Sequence, residues 1–167
     1  MTSKRLRPLL LVAATTLFAV PACSSHDDGA DHSNHDAGGT QGSVGCATDP
    51  RVTVFATGMQ AKSASGKLVA EIVNAAPSPP QRGSGDAGIN TWTVKLTLDG
   101  APPAAKDIQI TTLMPDHGHG SPKTPVLTAN PDGTYAVNDL FFFMAGVWEI
   151  IFSTNGQEPA TFTICVQ

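Results

Sequence analysis

Short β-rich runs, each closed by a proline, glycine or Asp-Gly signal, recur along most of this chain, and that rhythm constrains its fold more than any other feature. The clearest run, Thr91 to Leu98 (TWTVKLTL), alternates strictly and puts Trp92, Val94, Leu96 and Leu98 on one face. Asp99 and Gly100 close it with a turn signal. Further runs span Arg51 to Ala56, Lys67 to Ala75, Lys106 to Leu113, Val126 to Ala129, Thr134 to Asn138, Gly146 to Thr154 and Pro159 to Val166. Between the first two, GMQAKSASG reads as a linker, and APSPPQRGSGDAGIN forms a longer loop before Thr91. Thirteen prolines and sixteen glycines oppose a helical bundle, because both interrupt helices while β-branched residues suit strands.

Seven or eight regularly spaced strands with turn signals between them predict an all-β sandwich or barrel. The stretch from Cys46 to Gln167 has the size of an immunoglobulin-like β-sandwich. Trp92 and Trp148 are the largest apolar candidates for its core.

The start of the chain predicts export. Lys4, Arg5 and Arg7 precede an apolar run from Leu9 to Val20, followed by Pro21, Ala22 and Cys23. The run is shorter than the roughly 20 residues a membrane-crossing helix needs. Residues 1–22 therefore read as a lipoprotein signal peptide, with Cys23 as the acylated first residue of the mature chain. Ordinary signal cleavage, leaving Cys23 as a spare thiol, is the alternative. Ser24 rather than Asp after Cys23 favours the outer over the inner membrane in a Gram-negative cell.

Acylation of Cys23 also resolves an odd cysteine count, since three cysteines in an exported protein require a modification, a partner or a free thiol. Cys46 and Cys165 then remain as a pair at the two ends of the domain. An oxidising compartment and the lack of a CxxC motif favour a structural disulfide over a redox pair or a thiolate metal site. A bridge between chain ends is not the antibody arrangement, which joins two facing strands.

Residues 23–45 contain one apolar side chain larger than alanine, Val44, and are expected to be a disordered tether. His26, His32 and His35 alternate there with Asp27, Asp28, Asp31 and Asp36. Imidazole and carboxylate together suit borderline divalent ions, whereas a solvated spacer is the simpler account of the composition. Once Lys4, Arg5 and Arg7 are removed, seven of the ten basic residues face fourteen acidic ones. A formal charge near −7 with no basic cluster excludes a generic nucleic-acid binder.

Residues Ile110 to Ser153 carry a strand running into Met114 and Pro115, a Gly/His loop from His117 to Gly120, an Asp-Gly-x-Tyr hairpin from Asp132 to Tyr135, and Met144 to Trp148 opening a late strand. Gly88, Asn90, Trp92, Val94 and Leu96 suit the strand that leads in. From about Gly88 to Val166 the chain resembles the YtkA-like family of small exported bacterial domains. The resemblance implies an immunoglobulin-like sandwich, and relatives are linked with copper handling and oxidase assembly. Asp116 stands where the family often has a second Met or Gly, so the loop is not purely soft, and Cu(II) and zinc stay open beside Cu(I).

The MPDHGHG loop is the constellation with chemical content. His117 and His119 flank Gly118, whose backbone freedom allows both imidazoles to turn toward one point. Met114 lies in the same stretch, and Met144 joins if the late strand meets the loop. Thioether with imidazole is a copper donor set. The alternative makes Met114 and Met144 core residues and the loop a structural connection. No GxSxG, HExxH or phosphate-binding loop is present, and the sequence is not read as an enzyme. Phe141, Phe142 and Phe143 in one strand would put Phe142 opposite its neighbours and exposed, as in a partner surface, unless both faces are covered. Two functions follow: a membrane-anchored envelope module binding copper through His117, His119, Met114 and Met144, or a metal-free module that docks on an envelope or respiratory complex.

Overall fold

Seven of the expected short elements appear among the eight strands of a computed structural model, which describes residues 44–84, 87–154 and 159–167. They are β1 (Gln60–Lys62), β2 (Leu68–Ala76), β3 (Ile89–Leu98), β4 (Ile108–Leu113), β5 (Val126–Ala129), β6 (Tyr135–Phe141), β7 (Gly146–Thr154) and β8 (Ala160–Val166). The leader, Cys23 and the tether histidines lie outside the described residues. The last two tether residues, Val44 and Gly45, open a four-residue helix, α1 (Val44–Ala47).

One sheet has the order β1-β2-β3-β6-β5 and the other β4-β7-β8, with every neighbouring pair antiparallel. This is an immunoglobulin-like β-sandwich. Alternation drives it: Asn90, Trp92, Val94 and Leu96 of β3 are buried, as are Ala160, Phe162, Ile164 and Val166 of β8. The two inner faces meet where Trp92 stands edge-on to Phe162 at 6.0 Å and Phe162 edge-on to Phe152 at 5.9 Å. Fully burying an aliphatic or aromatic side chain contributes about 1.5–3 kcal/mol, so these alternating positions carry the folding energy.

Two strand boundaries differ from the sequence expectation. Arg51 to Ala56 forms no strand; Thr53 donates its N–H to the Thr163 carbonyl of β8 at 2.9 Å, and Val54 is 83% exposed. Phe55 does pack against Trp92 at 5.4 Å, but the run lacks a paired neighbour along its length to complete a ladder. Conversely, Gln60–Lys62 inside the expected linker pairs with Val69–Glu71 and buries Ala61. Its polar flanks carry no apolar pattern, so only the pairing reveals it.

The phenylalanine run takes the alternative in which both faces are covered, because Phe142 is fully buried. Asp139 has φ 59°, and the β3–β6 register slips between Asn90↔Leu140 and Trp92↔Val137. Such a bulge inserts an extra residue and resets which face the following side chains take. β6 then ends at Phe141, which frees Phe142 and Phe143 from the period of two. Phe142 packs edge-on to Trp148 at 5.2 Å, and Phe143 is half-buried.

The Pro/Gly loop before β3 is tied down by one buried amide. The Asn90 side chain accepts from the Gln81 N–H at 2.9 Å and donates to the carbonyls of Gln81 at 2.9 Å, Gly88 at 3.0 Å and Leu140 at 3.3 Å. At the opposite end of the chain order, Cys46 and Cys165 are joined by a disulfide with Cα atoms 5.3 Å apart. The bridge fastens α1 to β8.

Candidate metal site at the His loop

β4 delivers the loop. One residue past its end, the Met114 N–H donates to the His119 carbonyl at 2.8 Å, while the Met114 carbonyl accepts from the His117 N–H at 3.1 Å and the Gly118 N–H at 2.9 Å. The chain therefore turns back within five residues. Gly118 has φ 69°, a conformation that other residues rarely adopt, and this fixes the two histidines on either side of the turn.

His117 and His119 are both exposed, with ring centroids 5.6 Å apart. A metal–nitrogen bond of about 2.0–2.1 Å leaves each centroid roughly 3 Å from an ion, so two rings on one ion lie within roughly 6 Å. The observed separation fits that span. His119 also stacks on Phe143 at 5.4 Å, and its Nδ1 lies 3.4 Å from the Gly120 carbonyl oxygen.

The segment linking β6 to β7 lies against this loop. Phe143 bridges His119 and Trp148, whose ring is 5.8 Å away. The Trp148 Nε1–H donates to the Met144 carbonyl at 2.9 Å, fixing the backbone at Met144. Met144 is half-buried against the core, whereas Met114 is 1% exposed. The Met114 methyl sits beside Gly146, where an added Cβ would stand 3.0 Å from it. Gly146 has φ 139°, so both its backbone and its neighbour demand the absence of a side chain. Met114 is thus part of the packing behind the loop, while Met144 is half-buried next to Phe143, the ring that stacks on His119.

Asp116 points elsewhere. Arg51 donates from Nη1 and Nη2 to its two carboxylate oxygens at 2.7 and 2.9 Å. The same guanidinium donates from Nε and Nη2 to Asp49 at 2.9 and 2.7 Å, and the Arg51 N–H adds a further bond to Asp49 at 2.9 Å. These bonds from Arg51 draw the Asp49 carboxyl down to about 2. Asp116 is likewise held below the usual carboxylate range, first by its bonds to Arg51 and to a smaller degree by Arg51 and His117 charge. The Arg51 guanidinium is in turn held even more firmly protonated.

Sequence reasoning did not single out Arg51 or Asp49. The signal available was Asp116 itself, a carboxylate beside two histidines that calls for a cation. Among the described residues, no group of three or more His, Cys, Asp or Glu side chains converges to hold a metal. An ion between His117 and His119 therefore needs a donor of another kind. A cleft of about 530 Å³ lies between Val52, Phe55, Pro79, Pro80 and Gln81, and none of its lining residues belongs to the loop or carries a charge.

A family model described as YtkA-like matches residues 67–153, just over half of the chain. The chain belongs to the YtkA-like family. The match takes in β2, which the resemblance beginning near Gly88 left out, and ends at Ser153, before β8. It thus spans every element that builds the YtkA-like loop and its base. A comparison with curated proteins found no match.

Proposed function

We propose that this YtkA-like protein is an exported, membrane-anchored and non-catalytic module that holds a copper ion in the loop from Met114 to Gly120. The observation that carries the reading is the 5.6 Å separation of the exposed His117 and His119 rings, with Met144 next in sequence to Phe143, whose ring stacks on His119. The imidazoles of His117 and His119 hold the ion in either oxidation state, and the Met144 thioether favours Cu(I). Met114 supports the loop from behind. Copper supplies affinity for soft ligands there, and the loop keeps the ion at a solvent-facing surface from which it can be passed on. Export and anchoring follow from the leader and Cys23.

The metal-free docking reading drew on an exposed Phe142, and that side chain is buried. The reading survives as the alternative should no metal bind.

A competition titration of the mature protein tests the site. Cu(I) and Cu(II) are each expected to fill one site, lost in His117→Ala with His119→Ala. Met144→Leu is expected to weaken Cu(I) more than Cu(II), since the thioether is the softer ligand. Unchanged copper binding in the double histidine variant contradicts the assignment.

A further inference from the structure

Asp116 is the one carboxylate in the loop that carries His117 and His119, and both of its oxygens are occupied by one guanidinium. That guanidinium is itself pre-set. Asp49 holds it through Nε and Nη2, and Asp49 sits in a turn in which its own N–H donates to the Cys46 carbonyl at 3.2 Å. Asp49 is the most sheltered member of the trio, its side chain 19% exposed against 46% for Arg51 and 52% for Asp116. The disulfide-bonded Cys46 thus begins a short chain of contacts running through Asp49 and Arg51 to the loop, across 65 residues of sequence.

We propose that Arg51 is a specificity-determining residue of the loop: by gripping Asp116 it withholds a hard oxygen donor from the His117 and His119 pair and biases the site toward a soft, singly charged ion. The inference rests on the copper reading above. A carboxylate committed to a two-pronged guanidinium fork offers its oxygens to a metal only after losing both bonds, and oxygen donors favour hard or borderline divalent ions over Cu(I). Lysine would not substitute, because an ammonium supplies charge without the planar fork that spans Asp49 and Asp116 together.

The test is a pair of competition titrations, Cu(I) and Zn(II), on the full mature protein and three variants. Arg51→Gln is expected to raise the ratio of Zn(II) to Cu(I) affinity roughly tenfold, the scale on which groups behind metal ligands act. Adding Asp116→Asn to Arg51→Gln is expected to return the ratio to the wild-type value. Asp116→Asn alone is expected to leave Zn(II) binding within about fivefold, the reach of an exposed charge. If the wild type binds copper through His117 and His119 but Arg51→Gln leaves the ratio unchanged, the role of Arg51 falls while the copper site stands. Loss of both ions in Arg51→Gln means the ion pair is only a structural brace, and also overturns the proposal. A ratio that stays raised in the double variant shows that Asp116 is not the withheld donor. A larger Zn(II) loss in Asp116→Asn alone shows that the carboxylate was a ligand throughout. If the wild type holds no copper at these histidines, the functional reading itself fails.

Discussion

Trp148 joins the core to the loop at the scale of single residues. It is fully buried, packs edge-on to Phe142 and Phe143, and spends its one polar hydrogen on the Met144 carbonyl. Trp148→Ala is therefore expected to cost about 3 to 5 kcal/mol in denaturant unfolding, the range for emptying a buried aromatic site. A loss below about 1 kcal/mol would place the ring outside the core. The burial of Trp148 and Trp92 was legible in the sequence, because both stand in phase with alternating aliphatic neighbours. For Phe142 the sequence left exposure and burial both open, and the left-handed Asp139 with its bulge takes the run out of the strict period of two. Asn90 shows a further limit: its four hydrogen bonds reach a loop and a neighbouring strand, and no local pattern marks an asparagine as a buried clamp.

Elements followed the sequence where alternation was sustained and departed from it where pairing decided. β2 to β8 lie within a few residues of their expected positions; all but β5 have a face to bury, and β5, mostly exposed, is held by its pairing with β6. Arg51 to Ala56 has the composition of a strand but lies at the margin of β8, with Val54 turned to solvent. That segment nonetheless supplies Arg51, the ion-pair partner of the loop, and charge pairs between distant segments leave no periodic trace. The pair has a pH signature. Asp49 titrates at about 2 against an ordinary 3.8, so the folded state favours its ionised form. Its contribution is therefore complete above 3.8 and drains away as pH falls toward 2, with Asp116 moving in the same direction. Thermal unfolding of the wild type and Arg51→Gln is expected to differ by a constant amount from pH 7 to pH 5 and to converge between 3.8 and 2. A difference that persists unchanged to pH 2 would show that Arg51 does not act through these carboxylates.

Over the whole molecule, the Cys46–Cys165 disulfide ties the two ends of the domain together. The Cys46–Cys165 bridge spans 119 residues, and restricting the unfolded chain by a loop of that length contributes about 4 to 5 kcal/mol on the chain-entropy account. Reduction is expected to lower the denaturant midpoint sharply, and equal midpoints with and without reductant would deny the bridge a stabilising role. Cys23→Ser is expected to release the protein from membranes into the soluble exported fraction, and continued membrane association would contradict acylation. The Cys46–Cys165 pairing was legible from cysteine parity because it needs only counting. The surroundings of the loop were legible in part: Met114, His117 and His119 lie in one stretch, while the stacking of Phe143, next to Met144, on His119 leaves no local trace.

Copper in the folded loop, rather than in the histidines near the anchor, is the claim on which the account turns. It is tested by the copper content of mature protein purified without chelator, compared across three full-length forms: the wild type, one with His26, His32 and His35 changed to Ala, and one with His117 and His119 changed to Ala. About one copper per chain is expected in the first two and none in the third, since the loop pair fits a shared ion. Copper lost with His26, His32 and His35 and retained without His117 and His119 would contradict the account and return the MPDHGHG loop to a structural connection.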